Sequence, residues 1–195
     1  MRSHYKHVYT IKSRCNCGFA RKRALLLRRA SLIAAVSLAA IGGGAGAAIA
    51  APQTVAAAGG YQAGTIVVRT HERRLYYYLG DGTALRYTVG VGRAGMQWSG
   101  TSYVNGKYLN PDWKPPGIIR RDKPSLPHVI PGGSPKNPMG VAALTLSGGE
   151  YAIHGTNKPS SIGGFVSYGC IRMHNEDITD LYGRVDYNTP VVVTD

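Results

Sequence analysis

The chain has 195 residues, 44% hydrophobic and 17% charged, with 23 Lys and Arg against 10 Asp and Glu, a formal net charge of +13. Nine basic residues and no acidic ones fall within residues 1–50, so residues 51–195 carry 14 basic against 10 acidic side chains, a net +4. That modest excess, with no phosphate-cradling glycine loop, argues against a nucleic-acid-binding protein.

The chain opens with a stretch that reads as a secretory leader over residues 1–50. Arg21-Lys22-Arg23 and Arg28-Arg29 precede an apolar run from Ala30 to Ile41, and Ala48-Ile49-Ala50 supplies small residues for cleavage before Ala51. The run dissolves into Gly42-Gly43-Gly44 after 12 residues, too short to cross a hydrocarbon core of roughly 30 Å as an anchored helix. The expectation is export, with no stable membrane span after cleavage. Cys15 and Cys17 fall in the leader, which makes Cys170 the one cysteine of the mature part. A lone cysteine in an exported chain cannot form an internal disulfide, so it is a buried bystander, an intermolecular partner or a reactive thiol.

Residues 51–64, rich in Ala and Gly, read as a flexible lead-in, and residues 65–195 as one folded domain. From Thr65 the pattern is short strands separated by turn residues. Ile66 to Arg69, Leu75 to Leu79 and Leu85 to Val91 are β-branched or aromatic runs, and Gly80-Asp81-Gly82 marks a hairpin between the last two. Asn105-Gly106 predicts a second hairpin turn. Residues 111–140 hold eight of the eleven prolines, which excludes regular sheet and leaves a structured loop, either a cleft wall or a surface excursion without a role. Val141 to Leu146, then Gly148-Gly149, then Tyr151 to His154 predicts a third hairpin, with His154 at a strand end. One helix follows Cys170: Asn175 is its expected cap, Glu176 and Asp177 suit its positive end, Ile178 and Leu181 its apolar face, and Gly183 its end. Val185 to Tyr187 and Val191 to Thr194 complete a mainly β domain.

The chemistry-bearing residues lie in Tyr151-Ala152-Ile153-His154-Gly155-Thr156-Asn157 and Ser167-Tyr168-Gly169-Cys170-Ile171-Arg172-Met173. An unperturbed thiol with a pKa near 8.5 is only a few per cent thiolate at neutral pH, so a catalytic cysteine wants a base or a cation beside it. His154 can serve, by taking the proton during attack or by resting as imidazolium beside thiolate, and can later return the proton to a leaving amine. Gly169 removes a side chain where a substrate carbonyl would approach. The main-chain N–H groups of Tyr168, Gly169 and Cys170 are candidates for an oxyanion hole. Arg172 offers a planar cationic fork suited to a carboxylate, and its field favours thiolate.

These two segments resemble the two halves of the signature of the L,D-transpeptidase catalytic domain family, known as YkuD or ErfK/YbiS/YcfS/YnhG. Gly132-Gly133 and Asn137-Pro138-Met139-Gly140 resemble a further upstream motif, so the likeness runs over about residues 65–195. The resemblance implies a β-sandwich-like catalytic domain with one short helix after the cysteine, located in the periplasm or cell wall. It implies Cys170 as nucleophile, His154 as base and the Gly155 carbonyl as the group orienting the imidazole. Arg172 and Ser167 would contact substrate, and no cofactor or metal is required. The implied substrate is a peptidoglycan tetrapeptide stem. Cys170 would attack the diaminopimelate carbonyl, expel D-alanine and form a thioester, and an amine acceptor would then resolve it. The acceptor would be another stem, an anchored envelope protein or a D-amino acid; an L,D-carboxypeptidase side activity would accompany this. Many members carry His where this chain has Tyr168, so no second imidazole is available.

Rival readings fit less well. A sortase-like enzyme places its His much farther upstream and its Arg farther downstream, and an NlpC/P60 peptidase places Cys before His. Cys170, His174, His128 and His154 could be imagined as zinc ligands, but a structural site wants more cysteine; His71 reads as a turn residue. A non-catalytic exported wall-binding module would account for export and tyrosine content, but not for a thiol between a glycine and an arginine.

Overall fold

A computed structural model describes residues 52–195. The expected leader, with Cys15 and Cys17, lies outside the described residues. Among the described residues no helix is long and apolar enough to cross a membrane.

The domain is mainly β, as its short β-branched and aromatic runs between turn residues predict. Strands β1 (Gln53–Ala56), β2 (Ile66–Arg69), β3 (Arg74–Tyr78), β4 (Thr83–Thr88), β6 (Gly100–Leu109), β7 (Ala142–Leu146), β8 (Ala152–His154), β10 (Ile171–Arg172) and β11 (Pro190–Thr194) form one sheet in the order β1-β4-β3-β2-β11-β6-β7-β8-β10. A small parallel pair, β5 (Val91–Gly92) with β9 (Phe165–Ser167), stands apart. The helices are α1 (Gly117–Asp122) and α2 (Asn175–Arg184), with one 3-10 turn at Pro159–Ser161.

Strand β6 joins the two halves of the sheet. Its first residues pair with β11 and its later ones with β7, with a register shift between Val104 and Gly106. The hairpin turn expected at Asn105-Gly106 is therefore a bulge inside one ten-residue strand. A Cβ on Gly106 would sit 2.5 Å from Thr145 Oγ1, so glycine here serves close packing at a bulge rather than a reversal.

One core fills the space between the halves: Ile66, Val68, Leu75 and Tyr87 from one, Leu144, Leu146, Ile153 and Ile171 from the other, closed by Ile178 and Leu181 of α2. Each such side chain contributes about 1.5 to 3 kcal/mol by leaving water. On the opposite face, Val67, Tyr78 and Ala84 would be bare without residues 57–61. Here the expected flexible lead-in is corrected. Gln53–Ala56 pairs antiparallel with β4, Tyr61 packs edge-on against Tyr78 at 5.2 Å, and the Tyr78 hydroxyl donates to the Ala58 carbonyl.

Two further expectations change. Val185 to Tyr187 is not a strand; Val185 caps the C-terminus of α2 and is buried. Asn175 is the first helical residue, not the cap, which is His174, and the helix runs through Gly183 to Arg184. The Asn175 side chain is engaged elsewhere, as described below.

Candidate active site

The parallel pairing of β8 with β10 puts Arg172 in register with His154. In-register residues of neighbouring strands share a face, and Cys170, two residues before Arg172, falls on the same side. Ile153 and Ile171, between them, point into the core. Alternation thus delivers the histidine and the arginine from sequence segments 18 residues apart to one surface, with Cys170 two residues before the arginine. The Met173 N–H donates to the His154 carbonyl at 2.8 Å and continues the ladder.

His154 is buried, and its Nδ1 lies 2.7 Å from the Gly155 carbonyl, to which it donates. That bond fixes the neutral tautomer with its free lone pair on Nε2. Burial pushes its pKa down to about 4 and the Arg172 charge adds to the effect, against the carbonyls of Gly155 and Pro138. Cys170 is half-buried, with Sγ 4.0 Å from the Glu150 carbonyl. Burial raises the thiol pKa, while the Ala152 backbone and the Arg172 charge pull it back and Glu150 raises it further. Both shifts favour neutral partners, a thiol and an imidazole at rest.

Arg172 is half-buried, and burial lowers its pKa. Its Nε is fully buried with no hydrogen-bond partner, and no carboxylate among the described residues lies within ion-pair distance of it. Burying a guanidinium N–H without an acceptor is costly, which sets this group apart from the satisfied polar groups around it.

Ser167 and Gly169 turn out to build the turn beneath the thiol. The Ser167 hydroxyl is buried and donates to the Cys170 carbonyl at 2.6 Å, while the Gly169 N–H donates to Ser167 Oγ at 3.0 Å. Ser167 is therefore corrected from substrate contact to turn staple, and the Gly169 N–H is already engaged and unavailable for an oxyanion. The N–H groups of Tyr168 and Cys170 have no such internal bond among the described residues. Gly169 has φ +115, and a Cβ there would lie 2.5 Å from the Tyr151 ring, so the space that the missing side chain leaves holds an aromatic ring rather than substrate. Tyr151 stacks on Trp98 at 4.7 Å, and Trp98 Nε1 donates to the Gly169 carbonyl at 2.9 Å. Trp98 carries no local signal; its partner is 71 residues away.

The upstream motif supports the histidine. A Cβ on Gly140, at φ +66, would meet Asn175 Oδ1 at 2.3 Å and Thr156 N at 2.4 Å. Gly140 and Gly155 thus let two backbones close on the Asn175 side chain, which accepts from the Thr156 N–H at 3.0 Å. Asn137 is buried, with Nδ2 within hydrogen-bond distance of the carbonyls of Pro111, Ile130 and Pro131 and Oδ1 accepting from Met139 N–H. Residues 111–140 are held in shape by these bonds and by the paired Trp113 and Ile130. They form a cleft wall: Pro116, Ile118 and Ile119 face Tyr151, Tyr168 and Cys170 across a cleft of about 330 Å³. Tyr168 turns its hydroxyl to Asp122, which accepts at 2.7 Å.

Residues 63–193 match the YkuD family of L,D-transpeptidase catalytic domains. The chain is similar to two proteins of Escherichia coli K12, the probable L,D-transpeptidases YbiS, at 40% identity, and ErfK/SrfK, at 42%. Each likeness covers 139 residues, 67% of this chain and 44% of that protein, so the chain spans less than half the length of these curated relatives. It is also similar to the putative L,D-transpeptidase YkuD of Bacillus subtilis 168, 50% identical over 60 residues, 31% of this chain and 37% of that one. Among solved structures, the catalytic domain of the Enterococcus faecium L,D-transpeptidase has a TM-score of 0.53 at 21% identity, covering 70% of this chain and all of that one. L,D-transpeptidase 3 of Mycobacterium tuberculosis has 0.53 at 16%, covering 67% and 60%. At these identities the structural likeness is one of fold.

Proposed function

The chain belongs to the L,D-transpeptidase catalytic domain family, and from that premise we propose that it is an exported peptidoglycan L,D-transpeptidase with Cys170 as nucleophile and His154 as base. The observation that carries the proposal is the shared face of β8 and β10. It presents His154 and a buried, partnerless Arg172 Nε alongside a thiol that opens on the cleft.

The steps follow from the resting protonation states. As Sγ adds to the carbonyl at the L-centre of diaminopimelate in a tetrapeptide stem, its proton passes to His154 Nε2. The oxyanion forms at the N–H groups of Tyr168 and Cys170. Collapse breaks the C–N bond to the terminal D-alanine, whose amine takes the proton from the imidazolium, and a thioester remains. An acceptor amine attacks the thioester and gives its proton to His154, and the expelled thiolate takes it back. Water in place of the amine gives the trimmed stem, an L,D-carboxypeptidase side reaction. A stem carboxylate occupies Arg172. The enzyme works in the periplasm or cell wall, and its acceptor is a second stem or the amine of an anchored envelope protein.

The experiment is incubation of the protein and its Cys170→Ala variant with disaccharide tetrapeptide, following D-alanine and a thioester adduct by mass spectrometry. The wild type releases D-alanine and carries the adduct; release by Cys170→Ala would sink the mechanism. Wall binding by the wild type without any release would favour the non-catalytic module.

A further inference from the structure

The proline-rich segment is anchored firmly at its base and lightly at its tip. The base is the Trp113 and Ile130 rung, with two backbone bonds of 2.8 and 2.9 Å, and the buried Asn137. Residues 114–129 extend beyond that rung and contain α1, which buries no residue. Within the tip, Arg120 bonds the Pro115 carbonyl and His128, contacts internal to the segment. Among the described residues, Asp122 makes every side-chain hydrogen bond that joins residues 114–129 to the rest of the domain. It is also the one acidic residue of 114–129.

Asp122 Oδ2 accepts from the Tyr168 hydroxyl at 2.7 Å and from Arg93 Nη2 at 2.9 Å, and the Arg93 guanidinium lies over the Tyr168 ring at 4.1 Å. Each member thus touches the other two. Each also belongs to a different wall of the cleft: Arg93 precedes the Gly95–Gln97 wall, Asp122 ends α1, and Tyr168 stands two residues before Cys170. All three are solvent-accessible, so their mutual contacts are individually weak. A weak, exposed triad that supplies the side-chain hydrogen bonds holding a helix with no buried residue can open without disturbing the core.

We propose that Arg93, Asp122 and Tyr168 are positioning residues, a latch that holds the α1 excursion closed as the wall over Cys170 and governs entry of the stem peptide rather than the bond-making steps. The role in stem-peptide entry rests on the transpeptidase reading; the latch itself does not. It also gives the phenol of Tyr168 a task.

The test separates the two. In the full chain, Cys170 is alkylated with iodoacetamide and with a bulky biotin maleimide, and its own peptide is followed by mass spectrometry so that Cys15 and Cys17 do not interfere. Asp122→Ala and Tyr168→Phe each raise the ratio of bulky to small labelling on the order of two- to fivefold, the range open to exposed pairs. The double variant goes no further than the larger single, because both lose one shared contact, and the unfolding temperature stays within about 2 °C because no core residue is touched. With tetrapeptide, the KM of Asp122→Ala rises by a similar factor and its kcat for D-alanine release changes less than about twofold. An unchanged labelling ratio in both variants, or fully additive effects in the double, overturns the latch. An altered ratio in a protein that never releases D-alanine keeps the latch and refutes the transpeptidase reading instead.

Discussion

Replacing His154 by Gln flattens the acid limb of the stability profile. The ring is 4% exposed, and burial with the neighbouring Arg172 charge lowers its pKa from 6.5 to about 4. Between those values the unfolded chain binds a proton that the folded protein refuses. The stability tied to His154 is therefore whole above about pH 6.5 and is lost as pH falls through about 4. At 1.36 kcal/mol per pH unit, the interval corresponds to roughly 3 kcal/mol. Asp177, pushed up to about 6 chiefly by burial, works in the opposite sense, its contribution being lost as pH rises through that value. It is present in both proteins and cancels in their difference. Urea unfolding of wild type and His154→Gln at pH 7, 5.5 and 4 measures the effect: the wild type loses roughly 3 kcal/mol more than the variant between pH 7 and pH 4. A difference between the two proteins that does not change with pH would refute the assignment of a buried neutral imidazole.

Iodoacetamide labelling of Cys170 rises with pH to a midpoint above the ordinary thiol value, and Arg172→Gln moves that midpoint higher, since the Arg172 charge lowers the thiol pKa; a reactive plateau near neutrality would mean a resting thiolate and imidazolium. Asn137→Ala leaves the carbonyls of Pro111, Ile130 and Pro131 without their donor and costs about 2 to 3 kcal/mol; a loss below about 0.5 kcal/mol in urea unfolding would show that water replaces the amide. Gly140→Ala forces a side chain onto φ +66 and against Asn175 Oδ1 and Thr156 N. It destabilises by about 2 to 3 kcal/mol, and because the Thr156 loop must shift, it also slows D-alanine release.

Some local features were legible because their signals are local. β-branched and aromatic runs such as Ile66 to Arg69 and the Gly80-Asp81-Gly82 turn depend on neighbouring residues, and the strands form where those runs fall. Gly106 misleads for the same reason: glycine after asparagine signals a turn when only the chain is considered. Its use here is set by Thr145, a residue on another strand. Asn175 has the composition of a cap but bonds the loop after His154 instead. The lead-in looks flexible from its alanines and glycines, yet it is ordered by the apolar face of β2 to β4, which needs a cover.

By itself the sequence determined the chemical inventory: a mainly β chain, one thiol after residue 50, and a histidine, a glycine and an arginine at family spacing around it. Residue identity and separation along the chain are sufficient for that. The tertiary structure decided what each group is free to do. It assigned Ser167 Oγ and the Gly169 N–H to the turn beneath Cys170, left Arg172 Nε without a partner, and set Trp98 and Tyr151 against that turn. It also turned the proline-rich stretch into a wall pinned by Asp122. Those outcomes depend on burial and on which donors and acceptors are already satisfied, and both are set by residues that meet only when the sheet closes.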